Sequence, residues 1–266
     1  MNNNVIYTTL IIGLGLTLAI IVLLGFKLRQ AFRNMHTQLK DLHGRFGETR
    51  KQIDQLSVAI DLTARETQNA VYLTQLDLHM PVFMGGWSID TFLGKFLVQH
   101  LIEAKPMTIL ELGSGTSTVL IARTLQLMGI NNCEHLAVDH EAKYLAISRD
   151  YARLNGLEDR VTWLECPLQR HEELDKLWYG RLTGKLAGKK IDLLLVDGPP
   201  GPLQPLSRYP ALPILAPFLA ERCTVVLDDA ARRDEQEIIR RWQSEFPGFT
   251  LDLIFEGHGV AVLSRQ

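Results

Sequence analysis

Residues 107–118 read Met-Thr-Ile-Leu-Glu-Leu-Gly-Ser-Gly-Thr-Ser-Thr: an apolar run, a glycine turn, then a helix-compatible stretch. Short apolar, β-rich runs recur at His135–Asp139 (HLAVD), Val161–Leu164 (VTWL), Ile191–Asp197 (IDLLLVD) and Cys223–Asp228 (CTVVLD). Segments 117–127 and 143–155, between the first pairs of runs, suit helices. Near-continuous apolar strands alternating with helices predict a parallel sheet covered on both faces. The end of the chain differs. Runs 249–255 and 260–263 flank Glu256-Gly257-His258-Gly259, a hairpin signal, so the sheet is expected to finish in an antiparallel pair. The fold class is therefore α/β, with a doubly wound, mostly parallel sheet. His171-Glu172-Glu173 reads as a solvated helix start, Arg232–Glu235 as a charged helix face whose Arg232 or Arg233 can instead pair with the preceding aspartates, and 198–217 as a long Pro-rich loop carrying Arg208-Tyr209 over the ligand site.

In a doubly wound sheet, ligands bind outside the carboxyl ends of the strands. After the first run, Gly113 and Gly115 allow a tight turn and a close backbone approach. After the second stands Asp139, an acid suited to a pair of ribose hydroxyls. After the third comes Glu165-Cys166-Pro167-Leu168. After the fourth comes Asp197-Gly198-Pro199-Pro200-Gly201, and after the fifth Asp228-Asp229. An acidic rim suits a ligand with a cationic centre better than a diphosphate, which it repels.

The first quarter of the chain is unlike the rest. Val5–Phe26 is a 22-residue stretch without a charge, enough to cross a hydrocarbon core as a helix. The MNNN start lacks a basic side chain and no A-x-A site follows, so an uncleaved anchor is expected over a cleaved signal peptide. Lys27, Arg29, Arg33 and Lys40 follow with no acid between them. This places the later residues in the cytoplasm and the start outside, at the inner (plasma) membrane. Leu28, Phe32, Met35, Leu39, Leu42, Phe46, Thr49, Ile53, Leu56, Ile60 and Thr63 keep a 4-3 spacing, which predicts a helical stalk and a coiled-coil homodimer. Gly44 and Gly47 weaken its middle. The expected organisation is an anchor over 1–26, a stalk over 27–79 and a soluble domain over 80–266.

The chain has 266 residues, 46% hydrophobic and 22% charged, which excludes wholesale disorder. A formal charge of −2 argues against a nucleic-acid partner. Cys133, Cys166 and Cys223 fit neither a disulfide framework nor zinc spacing.

Taken together, ILELGSGTST, AVDHE, IDLLLVDGPPG and TVVLDDA resemble the class I S-adenosylmethionine-dependent methyltransferases, over roughly residues 82–264. More distantly the chain is similar to the catechol O-methyltransferase group. The resemblance implies a seven-stranded sheet of order 3-2-1-4-5-7-6 with the last strand antiparallel. It implies S-adenosylmethionine as cofactor, with Glu111, Gly113 and Gly115 at its methionine end, Asp139 at the ribose, and His140, Cys166 and Leu168 about the adenine. Gly86, Trp87 and Ser88 would close over the methionine portion. Asp197, Asp228 and Asp229 would face the methyl acceptor, with Asp197 and Asp229 catalytic, and by analogy with the catechol group the three would hold Mg²⁺. The acceptor stays open between a small molecule and a lipid- or glycan-linked group. Two other readings stand beside this one. A dinucleotide-dependent oxidoreductase predicts glycine where Thr118 stands and no acid at 111, and a non-catalytic scaffold would keep only the fold.

Overall fold

The computed structural model describes residues 3–265 and divides into two compact units at Leu62/Thr63. The described residues of the first unit are helical, as part of α1 (Asn3–Thr74). Its apolar side chains from Ile6 to Phe26 are exposed, and the helix is long and apolar enough to cross a membrane. Gly44 and Gly47 lie inside the helix without interrupting it.

The second unit opens with the last turns of α1. Leu73 and Leu76 are buried against α2 (Thr91–Ala104), together with Leu93, Leu97 and Leu101. Asp90 caps α2 by accepting the Leu93 N–H at 2.8 Å. The remaining elements are β1 (Thr108–Leu112), α3 (Thr116–Leu127), β2 (Glu134–Asp139), α4 (Ala142–Leu154), β3 (Thr162–Glu165), β4 (Leu168–His171), β5 (Lys176–Tyr179), α5 (Leu182–Lys185), β6 (Ile191–Val196), α6 (Ala211–Leu215), β7 (Leu219–Leu227), α7 (Arg233–Glu245), β8 (Thr250–Ile254) and β9 (Val260–Arg265).

Seven strands form one sheet of order β3-β2-β1-β6-β7-β9-β8, in which β9 runs antiparallel to both neighbours. Setting aside the separate β4–β5 hairpin, this is the 3-2-1-4-5-7-6 order expected from the resemblance. Period-two alternation covers both faces. Leu110, Leu194, Val225 and Leu263 pack with Trp242 and Ile238 of α7 on one side. Ile109, Leu193, Val226 and Val262 pack with α2 and α3 on the other.

Two local readings need correction. His171-Glu172-Glu173 does not start a helix, because β4 pairs antiparallel with β5 and the chain turns between them. Trp178 and Tyr179 of β5 enter the core, and this burial outweighs the helix signal of the acids. Gln204 completes the hairpin by accepting the Leu177 N–H and donating to the Leu177 carbonyl, both at 2.9 Å. The 198–217 segment is also more than a loop. It carries a 3₁₀ turn at Gly201–Leu203 and α6, whose Leu212 and Leu215 are fully buried.

Candidate active site

The strand ends are stitched to one another by the backbone beyond the regular ladder. Gly113 donates to the Val138 carbonyl at 2.9 Å, Asp197 to Leu112 at 2.9 Å, Asp228 to Val196 at 3.1 Å, and Cys166 to Asp139 at 2.8 Å. Each first residue past a strand is thereby held in register with its neighbour. Asp197 and Asp228 are fixed beside Gly113 at the carboxyl edge of the sheet, with Cys166 next to the end of β2.

A cleft of about 470 Å³ opens there. One half is made by the turn after β1. Gly113 has φ +96, a conformation that favours glycine, and an added Cβ would lie 3.1 Å from the Gly198 amide nitrogen. The next residues lead into the N-terminus of α3, where Thr118 Oγ1 accepts the Gly115 N–H at 3.0 Å. Asp139 ends β2. Its Oδ2 accepts from Ser114 Oγ at 3.2 Å and its Oδ1 from the Glu141 N–H at 3.0 Å, and both oxygens keep lone pairs for a ligand. Tyr144, Ile147 and Ser148 of α4 supply the adjacent wall at helical spacing. Gly86, Trp87 and Ser88 reach the rim, where Trp87 is 88% exposed. Thr116 Oγ1 ties this segment down by donating to the Phe83 carbonyl at 2.7 Å.

The other half is built on Arg208. Its guanidinium is buried, donates to Asp197 Oδ1 at 3.0 Å and to the Asp228 carbonyl at 3.0 Å, and forms an ion pair with Asp229 Oδ2 at 2.9 Å. Arg232 reaches the same Asp229 oxygen at 2.7 Å from the surface. Asp228 Oδ1 accepts the Asp229 N–H at 2.7 Å, and Asp229 holds a left-handed φ of +60. Burial pushes Asp197 well above the usual carboxylate range, although Arg208 opposes the shift. Burial and the neighbouring Asp229 push Asp228 up to about 6. Burial also raises Glu235, whose Oε1 lies 3.8 Å from Arg208. These acids coexist by holding protons and by sharing one internal cation.

Asp197, Asp228 and Asp229 each offer an oxygen within 4.8 Å of the others, a spacing that invites a divalent ion. Arg208 already occupies two of the three carboxylates. A divalent ion and a guanidinium roughly 4–5 Å apart repel by about 7 kcal/mol at an effective dielectric of 20. The residues present do not fit Mg²⁺ beside Arg208.

Ten of the residues singled out from sequence line this one cleft: Gly86, Trp87, Ser88, Gly113, Gly115, Asp139, His140, Asp197, Asp228 and Asp229. Glu111, Cys166 and Leu168 do not line it. Glu111 is fully buried beneath the turn, with Oε2 3.1 Å from His135 Nε2 and Oε1 without a partner. Cys166 is buried in the core, where burial raises its thiol, and Leu168 packs against the same cluster. Sequence reasoning missed Tyr179, placed by the unforeseen hairpin, and used His258 only as part of the hairpin signal. His258 lines the cleft with Nδ1 3.7 Å from Asp229 Oδ1.

Tyr179 is buried and lines the cleft, yet its hydroxyl has no partner among the described residues. A Cβ on Gly198 would collide with it, so the glycine makes room for the phenol. Tyr179→Phe is expected to leave the ligand-free protein equally stable or up to about 1 kcal/mol more stable. The same change should weaken binding of a ligand that accepts from the hydroxyl by about 0.5–1.5 kcal/mol. Melting curves and calorimetry with S-adenosylhomocysteine check both halves.

The fold is the class I methyltransferase fold. Residues 110–230 match the model of a methyltransferase domain family. No curated protein matches the chain. Among solved structures, an O-methyltransferase from Bacillus cereus in complex with S-adenosylhomocysteine is similar at TM-score 0.53 and 15% identity, covering 76% of this chain and 91% of that one. An S-adenosylhomocysteine-bound methyltransferase from Podospora anserina gives TM-score 0.52 and 16% identity, covering 77% and 87%. An O-methyltransferase of tomaymycin synthesis from Streptomyces achromogenes, in complex with S-adenosylmethionine, gives 0.51 and 14%, covering 74% and 95%. The resemblance holds at the level of the fold, and the matched segment spans the glycine turn and the strand-end acids.

Proposed function

We propose that this protein is a membrane-anchored, S-adenosylmethionine-dependent methyltransferase acting on an oxygen acceptor. The observation that carries the reading is the meeting of the glycine turn, Asp139 and the Asp197–Arg208–Asp229 cluster in one cleft. S-adenosylmethionine supplies an electrophilic methyl group on a sulfonium.

The chain's own residues divide the remaining work. Asp139 accepts the ribose hydroxyls, with His140 beside it against the adenine. The free amides at the start of α3 receive the methionine carboxylate. Glu111, beneath the turn, supports the methionine end from below. Gly86, Trp87 and Ser88 close over the methionine portion. Asp197, in its ionised form held by Arg208, would take the proton of the acceptor as the methyl group passes from sulfur to oxygen and S-adenosylhomocysteine leaves. Asp229 keeps the arrangement in place through Arg208 and Arg232. Much of the rate comes from alignment of donor and acceptor.

The acceptor is a small molecule or a lipid- or glycan-linked group, and nucleic acid is no partner. Titration of the full chain in detergent micelles with S-adenosylhomocysteine tests the reading. Absence of heat at millimolar ligand, from folded protein, would overturn it and leave the scaffold reading.

The anchor spans the inner membrane with the catalytic domain in the cytoplasm, on the strength of the charge-free helix and the basic residues that follow it. A reporter active only in the cytoplasm, fused after Gln266, is expected to work. Activity of a periplasm-only reporter at that site would reverse the placement. The stalk pairs two copies, so crosslinked dimers should disappear when residues 27–62 are deleted. Undiminished dimers would put the interface elsewhere.

A further inference from the structure

We infer that Arg208 is the resident cation of the acceptor site, taking the place a divalent metal would fill between Asp197 and Asp229. The inference rests on the methyltransferase reading only for the word acceptor; the cation assignment stands on geometry alone. Arg208 is 3% exposed, at the bottom of the cleft rather than at its rim. One guanidinium nitrogen donates to Asp197 Oδ1 at 3.0 Å. The other donates to the Asp228 carbonyl at 3.0 Å and forms an ion pair with Asp229 Oδ2 at 2.9 Å. The single side chain thus joins the ends of β6 and β7, the two strands whose acids the sequence offers as metal ligands.

A rigid planar fork suits this bridging in a way a hydrated point charge does not. The guanidinium also carries its charge at every accessible pH and does not exchange with solvent ions. Its approach is fixed from the chain side. Tyr209, the next residue, is held by hydrogen bonds from its hydroxyl to Glu245 at 2.8 and 2.9 Å, while its carbonyl accepts from Trp242 Nε1 at 2.9 Å. Trp242 is fully buried, so the loop that delivers Arg208 is clamped to α7. Arg208 is a positioning residue, since it orients Asp197 and Asp229 rather than the reacting atoms.

The consequence for substrate class is direct. A metal of this kind would hold two neighbouring acceptor oxygens by chelation. With Arg208 in its place, the site takes an acceptor through one protic group set against Asp197, and a vicinal diol has no advantage over a lone hydroxyl.

Mn²⁺ alone is the probe, followed by electron paramagnetic resonance on the full chain in detergent micelles, with and without S-adenosylhomocysteine. The wild type should leave micromolar Mn²⁺ free, and Arg208→Lys, which keeps a cation, should do the same. Arg208→Met should bind Mn²⁺ at least about tenfold more tightly than the wild type, and adding Asp229→Asn should abolish the gain. Stoichiometric micromolar binding to the wild type overturns the inference. So does a folded Arg208→Met that gains nothing. If Arg208→Met fails to fold, the wild-type titration decides alone, binding against the inference and absence of binding for it. Failure of S-adenosylhomocysteine to bind would remove the methyltransferase reading, while the Mn²⁺ signal would still decide the cation.

Discussion

Asp228→Asn stabilises the folded protein at pH 8 and changes little at pH 4. Asp228 is buried at the end of β7, and burial together with Asp229 raises its carboxyl to about 6. In the unfolded chain the same carboxyl titrates near 3.9. Between these values the native state binds more protons than the unfolded state, so wild-type stability falls as pH rises. Above the folded value the loss is complete and constant. An asparagine cannot ionise and does not suffer it, while its oxygen can still accept the Asp229 N–H that Asp228 now holds at 2.7 Å. The full difference is about 3 kcal/mol, from two units at 1.36 kcal/mol each. For a chain of this size that is several degrees in melting temperature. Melting curves of both proteins in the same micelles, from pH 4 to pH 8, are the measurement. Equal curves at pH 8, or a gap that widens toward pH 4, would show that Asp228 is charged at no cost.

The second large effect falls on the other half of the cleft. Asp139→Ala should weaken S-adenosylhomocysteine binding by about 1.5–3 kcal/mol, a factor of roughly 10–150. The loss comes from charge-assisted hydrogen bonds to the ribose. Asp139 also organises its surroundings through Ser114 Oγ and the Glu141 N–H. Asp139→Asn keeps an acceptor for that amide and should lose less affinity than the alanine variant. Calorimetry on the three proteins, with melting curves as a folding control, separates lost recognition from lost structure. Unchanged affinity in the alanine variant would place the ribose elsewhere.

The sheet was legible because its strands are buried on both faces and therefore nearly uninterrupted runs of apolar residues. The acids at their ends were legible for a related reason: a charge after an apolar run marks where a buried strand meets solvent. Glycine at 113 announced its turn because few other residues adopt its φ. The parts that stayed hidden depend on contacts distant in sequence. The β4–β5 hairpin is short and polar on its outer side, and only the burial of Trp178 and Tyr179 fixes it. Nothing near Tyr179 indicates that its hydroxyl meets Gly198. Arg208 lies in a Pro-rich stretch that reads as a loop over the acceptor site, but its pairing partners come from the ends of two different strands. The three carboxylates were visible as a cluster, but the cation that joins them was not. Charge neutralisation by a distant side chain leaves no local pattern.

Asp90 has a consequence for how the cleft opens. Its Oδ1 holds the first turn of α2 through the Leu93 N–H, while Oδ2 accepts the His258 N–H at 2.7 Å from the turn between β8 and β9. Gly257 has no room for a Cβ there because the Asp90 carboxylate fills it. One carboxylate thus latches the segment carrying Trp87 to the turn carrying His258, two residues that line the same cleft. Rupture at Asp90 frees both amides at once. The two protons are therefore expected to exchange with deuterium at a common rate, as a single breathing motion, although 165 positions separate them in the chain.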